Sequence, residues 1–114
     1  MTTTSIQSFI EDKVASNQVV IFVKSYCPYC MATKKRFQEL HLSNKNIVEP
    51  LIFELDKMES GNAIQEQLYN MTSQSTVPSV WINGKFVGGN SDTETLLKTG
   101  ELETLLLQDS QRVH

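Results

Sequence analysis

The sequence predicts an α/β fold in which a mixed four-stranded sheet is flanked by helices on both faces. A continuous apolar run, Val19–Val23, has the length of a strand that is buried on both faces. Pro28 follows after a short loop, and proline favours the first residue of a helix because its missing N–H has no intrahelical partner there. Asn83-Gly84 separates two short apolar segments and is a strong hairpin signal. The early strand–helix–strand order predicts parallel strands, and the hairpin adds antiparallel ones.

The first half of the chain alternates helices and strands. Apolar residues at helical spacing predict a first helix from Thr4 to Ala15, where Thr4 and Gln7 resemble a capping box. Asn17 ends this helix and the strand Val19–Val23 follows. The next helix is predicted from Pro28 to about Leu42, with three residues available for its inner face, namely Met31, Phe37 and Leu40.

The second half adds a strand, a helix, a hairpin and a C-terminal helical region. The turn Gly88-Gly89-Asn90 precedes a helix that Ser91 or Asp92 can cap. Gly100 interrupts that helix. The remaining predicted elements are a strand over Pro50–Asp56, a helix over Ser60–Tyr69 containing Ile64 and Leu68, strands over Ser79–Ile82 and Lys85–Val87, and a last helical segment over Glu101–Leu107.

Length and composition favour one soluble globular domain spanning residues 1–114. The chain has 39% hydrophobic and 20% charged residues, which is ordinary for such a domain. Its net charge of −3 gives no general attraction for nucleic acid or anionic lipid. No stretch approaches the ~20 apolar residues of a membrane span, and the start of the chain does not resemble a signal peptide. We therefore expect a cytoplasmic monomer that binds neither nucleic acid nor membrane.

The two cysteines, Cys27 and Cys30, are separated by two residues and close almost no loop. In a reducing compartment such a pair is more often catalytic or metal-binding than structural. Cys27 stands where a strand ends and a helix begins, so helix N–H groups and the nearby Lys24 favour its thiolate form. Cys30 lies one turn into the helix on the same face. We expect Cys27 to attack disulfides and the less exposed Cys30 to resolve the mixed disulfide that forms.

Two other interpretations of the cysteines were weighed. A structural zinc site needs about four ligands, and the remaining candidates, His41 and His114, lie at a helix end and at the chain terminus. Two buried, inert cysteines are the other alternative. Pro28 inside the motif, directly after a buried strand, favours a redox site over both, and no metal is expected.

The chain resembles the dithiol glutaredoxins, and most closely the yeast-type cytosolic members. The resemblance covers nearly the whole chain and implies a thioredoxin-like fold and a glutathione-dependent thiol–disulfide oxidoreductase. Its substrates would be glutathionylated and disulfide-containing proteins, with glutathione as co-substrate. The matching segments are Lys24-Ser25-Tyr26-Cys27-Pro28-Tyr29-Cys30, Gln65, Thr76-Val77-Pro78 and Gly88-Gly89-Asn90-Ser91-Asp92.

The resemblance also implies how glutathione is held. Pro78 would follow a cis peptide bond that leaves the backbone of Val77, next to Thr76, free to pair with the cysteinyl residue of glutathione. The other implied contacts are Lys24 and Gln65 to the glycine carboxylate, Ser91 and Asp92 to the γ-glutamyl group, and Tyr29 at the side of the groove. Taken singly, Lys24 could be a solvated loop charge, Gln65 a surface residue and Asp92 a simple helix cap.

The chain departs from the family pattern at Ser75, where many relatives have a basic residue. The change removes a positive charge from the carboxylate-binding side, and Gln74 could compensate by hydrogen bonding. Trp81 replaces the more common tyrosine or phenylalanine. Two further functions were considered: iron–sulfur cluster binding, which is typical of Cys-Gly-Phe-Ser relatives, and thioredoxin activity supported by a flavoenzyme. Pro28 and Tyr29 argue against the first, and the groove residues against the second.

Overall fold

A computed structural model describes residues 3–108, with side chains from residue 5 onward. No helix within those residues has both the length and the apolar character needed to cross a bilayer. The elements are α1 (Thr3–Ser16), β1 (Val19–Val23), α2 (Pro28–Ser43), β2 (Leu51–Glu54), a 3-10 turn (Leu55–Lys57), α3 (Gly61–Thr72), β3 (Ser79–Ile82), β4 (Lys85–Gly88), α4 (Asn90–Thr99) and α5 (Glu101–Leu106).

The strands form one mixed sheet in the order β2-β1-β3-β4. β1 runs parallel to β2, with Val20 opposite Leu51, and antiparallel to β3. β3 and β4 form the predicted hairpin, and both turn residues have positive φ, 54° at Asn83 and 80° at Gly84. This backbone matches the right-handed twist of the flanking strands. The predicted mixed four-stranded sheet is confirmed.

Both faces of the sheet are covered by helices, and β1 is buried on each side. Val19, Ile21 and Val23 point into a core that α2 and α5 complete. Val20 and Phe22 point the opposite way, into a second core formed with α1 and α3. Because side chains alternate across a strand, an unbroken apolar run fits this central position.

Two details differ from the sequence prediction, and a third stays a prediction. The Thr4–Gln7 capping box depends on the Thr4 side chain, which lies outside the described part of the chain, while the Gln7 amide donates to Glu11. Met31 is 59% exposed, since the buried stripe of α2 runs through Cys30, Thr33, Phe37 and Leu40. α4 begins at Asn90, before the two predicted caps, and its N-cap residue is Gly89.

The end of α5 is tied to the start of β1 by a buried amide. Gln18 is 4% exposed, and its Nε2 atom donates to the carbonyl oxygens of Leu105, Leu106 and Gln108 at 3.4, 2.9 and 3.3 Å. Asn83 Nδ2 also donates to the Leu105 carbonyl, at 3.0 Å. These bonds satisfy carbonyl groups that a helix C-terminus otherwise leaves unpaired.

Candidate active site

Cys27 is the N-cap residue of α2, and Pro28 is the first residue of the helix. Its backbone is extended, with φ −85° and ψ 118°, and its Sγ accepts a hydrogen bond from the Cys30 N–H at 3.3 Å. The sulfur is partly exposed and lies 4.0 Å from the carbonyl oxygen of Val77. The Cys27 sulfur therefore lies at a helix N-terminus, where backbone N–H groups without an intrahelical partner are available to it.

Cys30 has the opposite environment. It is 0% exposed and packs in the core between α2 and the sheet. Burial, followed by the neighbouring Cys27 sulfur, raises the pKa of Cys30 to about 12. Cys30 is therefore a protonated, buried thiol at neutral pH, whereas the Cys27 residue is partly exposed.

The loop that carries Cys27 is fixed by Asp56. The Cys27 N–H donates to the Lys24 carbonyl at 3.1 Å. Ser25 donates to the Asp56 carboxylate twice, from its backbone N–H at 2.9 Å and from its hydroxyl at 2.5 Å. These bonds lower the pKa of Asp56. Asp56 was not among the predicted site residues, but the sequence contains a signal for it: the carboxyl ends of parallel β1 and β2 meet at one sheet edge, which is where Asp56 lies.

A groove of about 470 Å³ lies beside Cys27, between the segment around Pro78 and the start of α4. The Val77–Pro78 peptide bond is cis, as the resemblance implied. Six of the predicted glutathione-binding residues line this groove together with Gln74, Gly89 and Asn90; the six are Tyr29, Thr76, Val77, Pro78, Ser91 and Asp92.

The other two predicted glutathione-binding residues do not line the groove. Gln65 lies on α3, and its Nε2 atom donates to the Ser75 carbonyl at 3.0 Å. Lys24 is half-buried in the loop before Cys27, and within residues 3–108 its ammonium makes no ion pair. Both remain predictions for the glycine end of glutathione.

Gln74 lines the groove and hydrogen-bonds the backbone of the segment around Pro78. Its Nε2 atom donates to the carbonyl oxygens of Thr76 and Pro78, each at 3.0 Å. Both bonds hold the backbone on either side of Val77, the residue whose peptide groups were predicted to pair with glutathione. Gln74 thus supports the wall of the groove through hydrogen bonds to its backbone.

The opposite wall is the N-terminus of α4. The Gly89 N–H donates to Asp92 Oδ2 at 3.0 Å, so Asp92 acts as a cap from inside the first turn. Ser91 and Asp92 are exposed at the groove. Asp92 is therefore not the predicted N-cap residue but a first-turn residue whose carboxylate accepts from the N-cap N–H, and it lines the groove together with Ser91.

Metal ligands do not cluster in the part of the chain that the structure describes: residues 3–108 contain no group of three or more His, Cys, Asp or Glu side chains suited to an ion. His41 hydrogen-bonds the Ile47 carbonyl and lies 3.5 Å from Glu49. His114, the other histidine weighed for zinc, lies outside the described residues.

Known proteins with the same arrangement are numerous. The glutaredoxin family model matches residues 19–87. Glutaredoxin-C8 of Oryza sativa subsp. japonica is 44% identical over 91% of this chain and 74% of its own length, and Glutaredoxin-1 of Saccharomyces cerevisiae is 41% identical over 85% and 86%. The crystal structure of a buckwheat glutaredoxin–glutathione complex is similar, with a TM-score of 0.82 and 34% identity over 91% of this chain and 89% of that one. The chain therefore belongs to the glutaredoxin family of glutathione-dependent thiol–disulfide oxidoreductases.

Proposed function

We propose that the protein removes glutathione from protein–glutathione mixed disulfides, with Cys27 as the nucleophile. The observation that carries the proposal is the position of the Cys27 sulfur: partly exposed, at the N-terminus of α2, and next to a groove of about 470 Å³. A disulfide sulfur approaching along the groove reaches Cys27 before it can reach the buried Cys30.

The groove suits an anionic tripeptide. The Val77 backbone can pair with the cysteinyl residue of glutathione in the manner of an added strand. The start of α4, with Ser91 and Asp92, suits the γ-glutamyl end, because helix N–H groups attract its carboxylate and the Asp92 carboxylate attracts its ammonium. Lys24 and Gln65 remain the candidates for the glycine carboxylate at the other end.

The reaction is two thiol–disulfide exchanges. The Cys27 thiolate attacks the glutathione sulfur of the mixed disulfide, a new S–S bond forms, and the protein thiolate leaves and takes up a proton. The thiolate of a second glutathione then attacks the glutathione sulfur on Cys27. Glutathione disulfide is released and the Cys27 thiolate is restored. The net reaction converts one mixed disulfide and one free glutathione into one protein thiol and one glutathione disulfide, so the free glutathione is the reductant.

Protein disulfides follow a second branch that also uses Cys30. Cys27 attacks one sulfur of the substrate disulfide, and the Cys30 thiolate then displaces the substrate from Cys27. The Cys27–Cys30 disulfide that forms is reduced by two glutathione molecules. The 3.3 Å contact between the Cys30 N–H and the Cys27 sulfur supports this branch, because the two residues already face each other.

The proposed setting is a cytoplasmic monomer whose partners are glutathione and thiol proteins, with no nucleic acid or membrane partner. The net charge of −3 supports the absence of a polyanion partner. Some relatives are named for another compartment. Glutaredoxin-2, mitochondrial, of Homo sapiens is 41% identical over 87% of this chain. Fluorescence microscopy of the full-length tagged chain in its own cells tests the compartment, and a mitochondrial signal would contradict the proposal.

The test of the activity is turnover of a glutathionylated small thiol with glutathione, glutathione reductase and NADPH. Cys27→Ser should abolish turnover. Cys30→Ser is the matched control, because removal of glutathione needs one thiol, and it should retain this turnover while losing reduction of a protein disulfide. A folded and reduced wild type without turnover, or an active Cys27→Ser variant, would refute the proposal.

A further inference from the structure

A partly buried hydrogen bond joins the helix that carries the nucleophile to the helix that forms the far wall of the groove. The hydroxyl of Thr33, on α2, donates to Oδ1 of Asn90, the first residue of α4, at 2.8 Å. Thr33 is 0% exposed and lies one turn after Cys30 on the buried stripe of α2. Asn90 itself lines the groove.

A second polar side-chain contact joins the same helices but is more exposed. Arg36 and Glu94 form an ion pair at 2.9 Å, but both side chains are substantially exposed, at 45% and 26%. Exposed ion pairs contribute little because water and salt screen them. The donor Thr33 is fully buried, so its hydroxyl would be poorly solvated without its partner, and the Thr33–Asn90 bond should restrict the position of α4 more strictly than the ion pair.

The start of α4 is rigid in itself. The Gly89 N–H donates to Asp92, and the buried Thr93 donates its hydroxyl to the Gly89 carbonyl at 2.9 Å. Its own hydrogen bonds therefore hold the first turn together, and the Thr33–Asn90 bond joins this turn to α2.

We propose that Thr33 and Asn90 are a positioning pair that sets the distance between the Cys27 sulfur and the subsite for the γ-glutamyl group. Cys27 begins α2, and Ser91 and Asp92 lie in the first turn of α4, so the relation between these helices fixes that distance. The covalent length of glutathione limits the distance between its sulfur and its γ-glutamyl carboxylate. Both ends can be bound together only when the two sites lie within that limit. The inference rests on the proposed function, because the γ-glutamyl subsite is part of it.

The test compares two mixed disulfides of one fluorescent peptide, the first with glutathione and the second with cysteinylglycine, which lacks the γ-glutamyl group. Single-turnover release of the peptide thiol is measured for each. Thr33→Val, which keeps the shape and removes the donor, should slow the glutathione disulfide by about threefold to tenfold, the size expected for one lost hydrogen bond. It should leave the cysteinylglycine disulfide unchanged. Thr33→Ser should restore the wild-type preference.

Two further variants complete the design. Asn90→Ala removes the acceptor and should lower the same preference, and Thr33→Val combined with Asn90→Ala should be no worse than Asn90→Ala alone, since both act through one bond. Glu94→Gln is the matched control, because it breaks the exposed ion pair between the same helices and should leave both rates unchanged. Thermal unfolding shows whether each variant is folded at the assay temperature. If Thr33→Val is not, the comparison of Thr33→Ser with Asn90→Ala tests the proposal.

Equal losses with both disulfides in Thr33→Val, or an unchanged preference in folded Thr33→Val and Asn90→Ala, would overturn the positioning role. A wild type that reacts equally fast with both disulfides would show that the γ-glutamyl subsite itself is absent. In that case neither the proposed glutathione contacts at α4 nor the positioning role of the Thr33–Asn90 pair would hold. If instead the wild type prefers the glutathione disulfide and the variants show the same preference, only the positioning role is refuted.

Discussion

The environment of Cys30 predicts that its attack on a mixed disulfide is slow at neutral pH and accelerates steadily as the pH rises. In this experiment only the pH is varied. Cys30 must lose its proton before it can displace glutathione or a protein from Cys27. Burial is the largest cause of its raised pKa of about 12, and burial persists when the Cys27 sulfur is held in a mixed disulfide.

The size of the effect follows from the difference between about 12 and the ordinary value of 9.0. Three pH units lower the thiolate fraction of Cys30 at neutral pH about a thousandfold. The more basic thiolate is a better nucleophile, and at a Brønsted coefficient of ~0.45 this recovers about twentyfold. Cys30 should therefore resolve a mixed disulfide more slowly than a cysteine of ordinary pKa in the same position, by up to roughly 40-fold. The figure is an upper bound, because the share of the raised pKa that comes from the Cys27 sulfur is lost once that sulfur is in a disulfide.

The assay starts from protein glutathionylated at Cys27 and freed from excess glutathione. Release of glutathione then reports only attack by Cys30, and it is followed by rapid acid quench and mass spectrometry. The rate should rise about tenfold per pH unit from about pH 6.5 to about pH 9.5 without reaching a plateau. Cys30→Ser is the control and should release none. A plateau near pH 8 to pH 9 would mean that Cys30 ionises like an ordinary thiol, and would refute the reasoning.

Three further predictions concern the scaffold. Asp56→Asn should lower the free energy of unfolding at neutral pH. Because the bonds from Ser25 lower the pKa of Asp56, this difference from wild type should disappear as the pH falls below 3.8. A difference in unfolding free energy that persists in acid would contradict this. Phe37→Ala should cost about 3–5 kcal/mol in urea unfolding, since Phe37 is 1% exposed, whereas Leu42→Ala, at a 70% exposed position, should stay within ~0.5 kcal/mol. Gly61→Ala should destabilise although alanine favours helices, because its Cβ would collide with a backbone carbonyl of the preceding 3-10 turn; a thermal midpoint equal to that of wild type would show that the turn can yield.

The local features of the sequence predicted the sheet and the cysteine motif, because they depend on neighbouring residues. The run Val19–Val23 and the turn at Asn83 and Gly84 each determine a short stretch of backbone, and both were predicted correctly. The inner face of α2 was predicted only in part. Met31 was assigned to it from its apolar character, although the stripe that starts at Cys30 excludes it.

The contacts that support the site could not be predicted in the same way. Asp56 meets Ser25 across 31 residues, and Thr33 meets Asn90 across 57. No periodicity links such positions, since the sheet and the helix packing alone bring them together. The groove residues were identified through the resemblance, and the structure brings most of them to one place.

The buried amide of Gln18 has a consequence for how much chain the fold requires. The match to the family model begins at residue 19 and ends at residue 87, before α4. A fragment with those ends would keep both cysteines but lose α1, α4 and α5, so each face of β1 would lose part of its cover. The Gln18 amide and the carbonyl groups it binds at the end of α5 would also be lost. Such a fragment should stay unfolded. The residues that the family model matches do not include all of the helices needed to exclude water from both faces of the sheet.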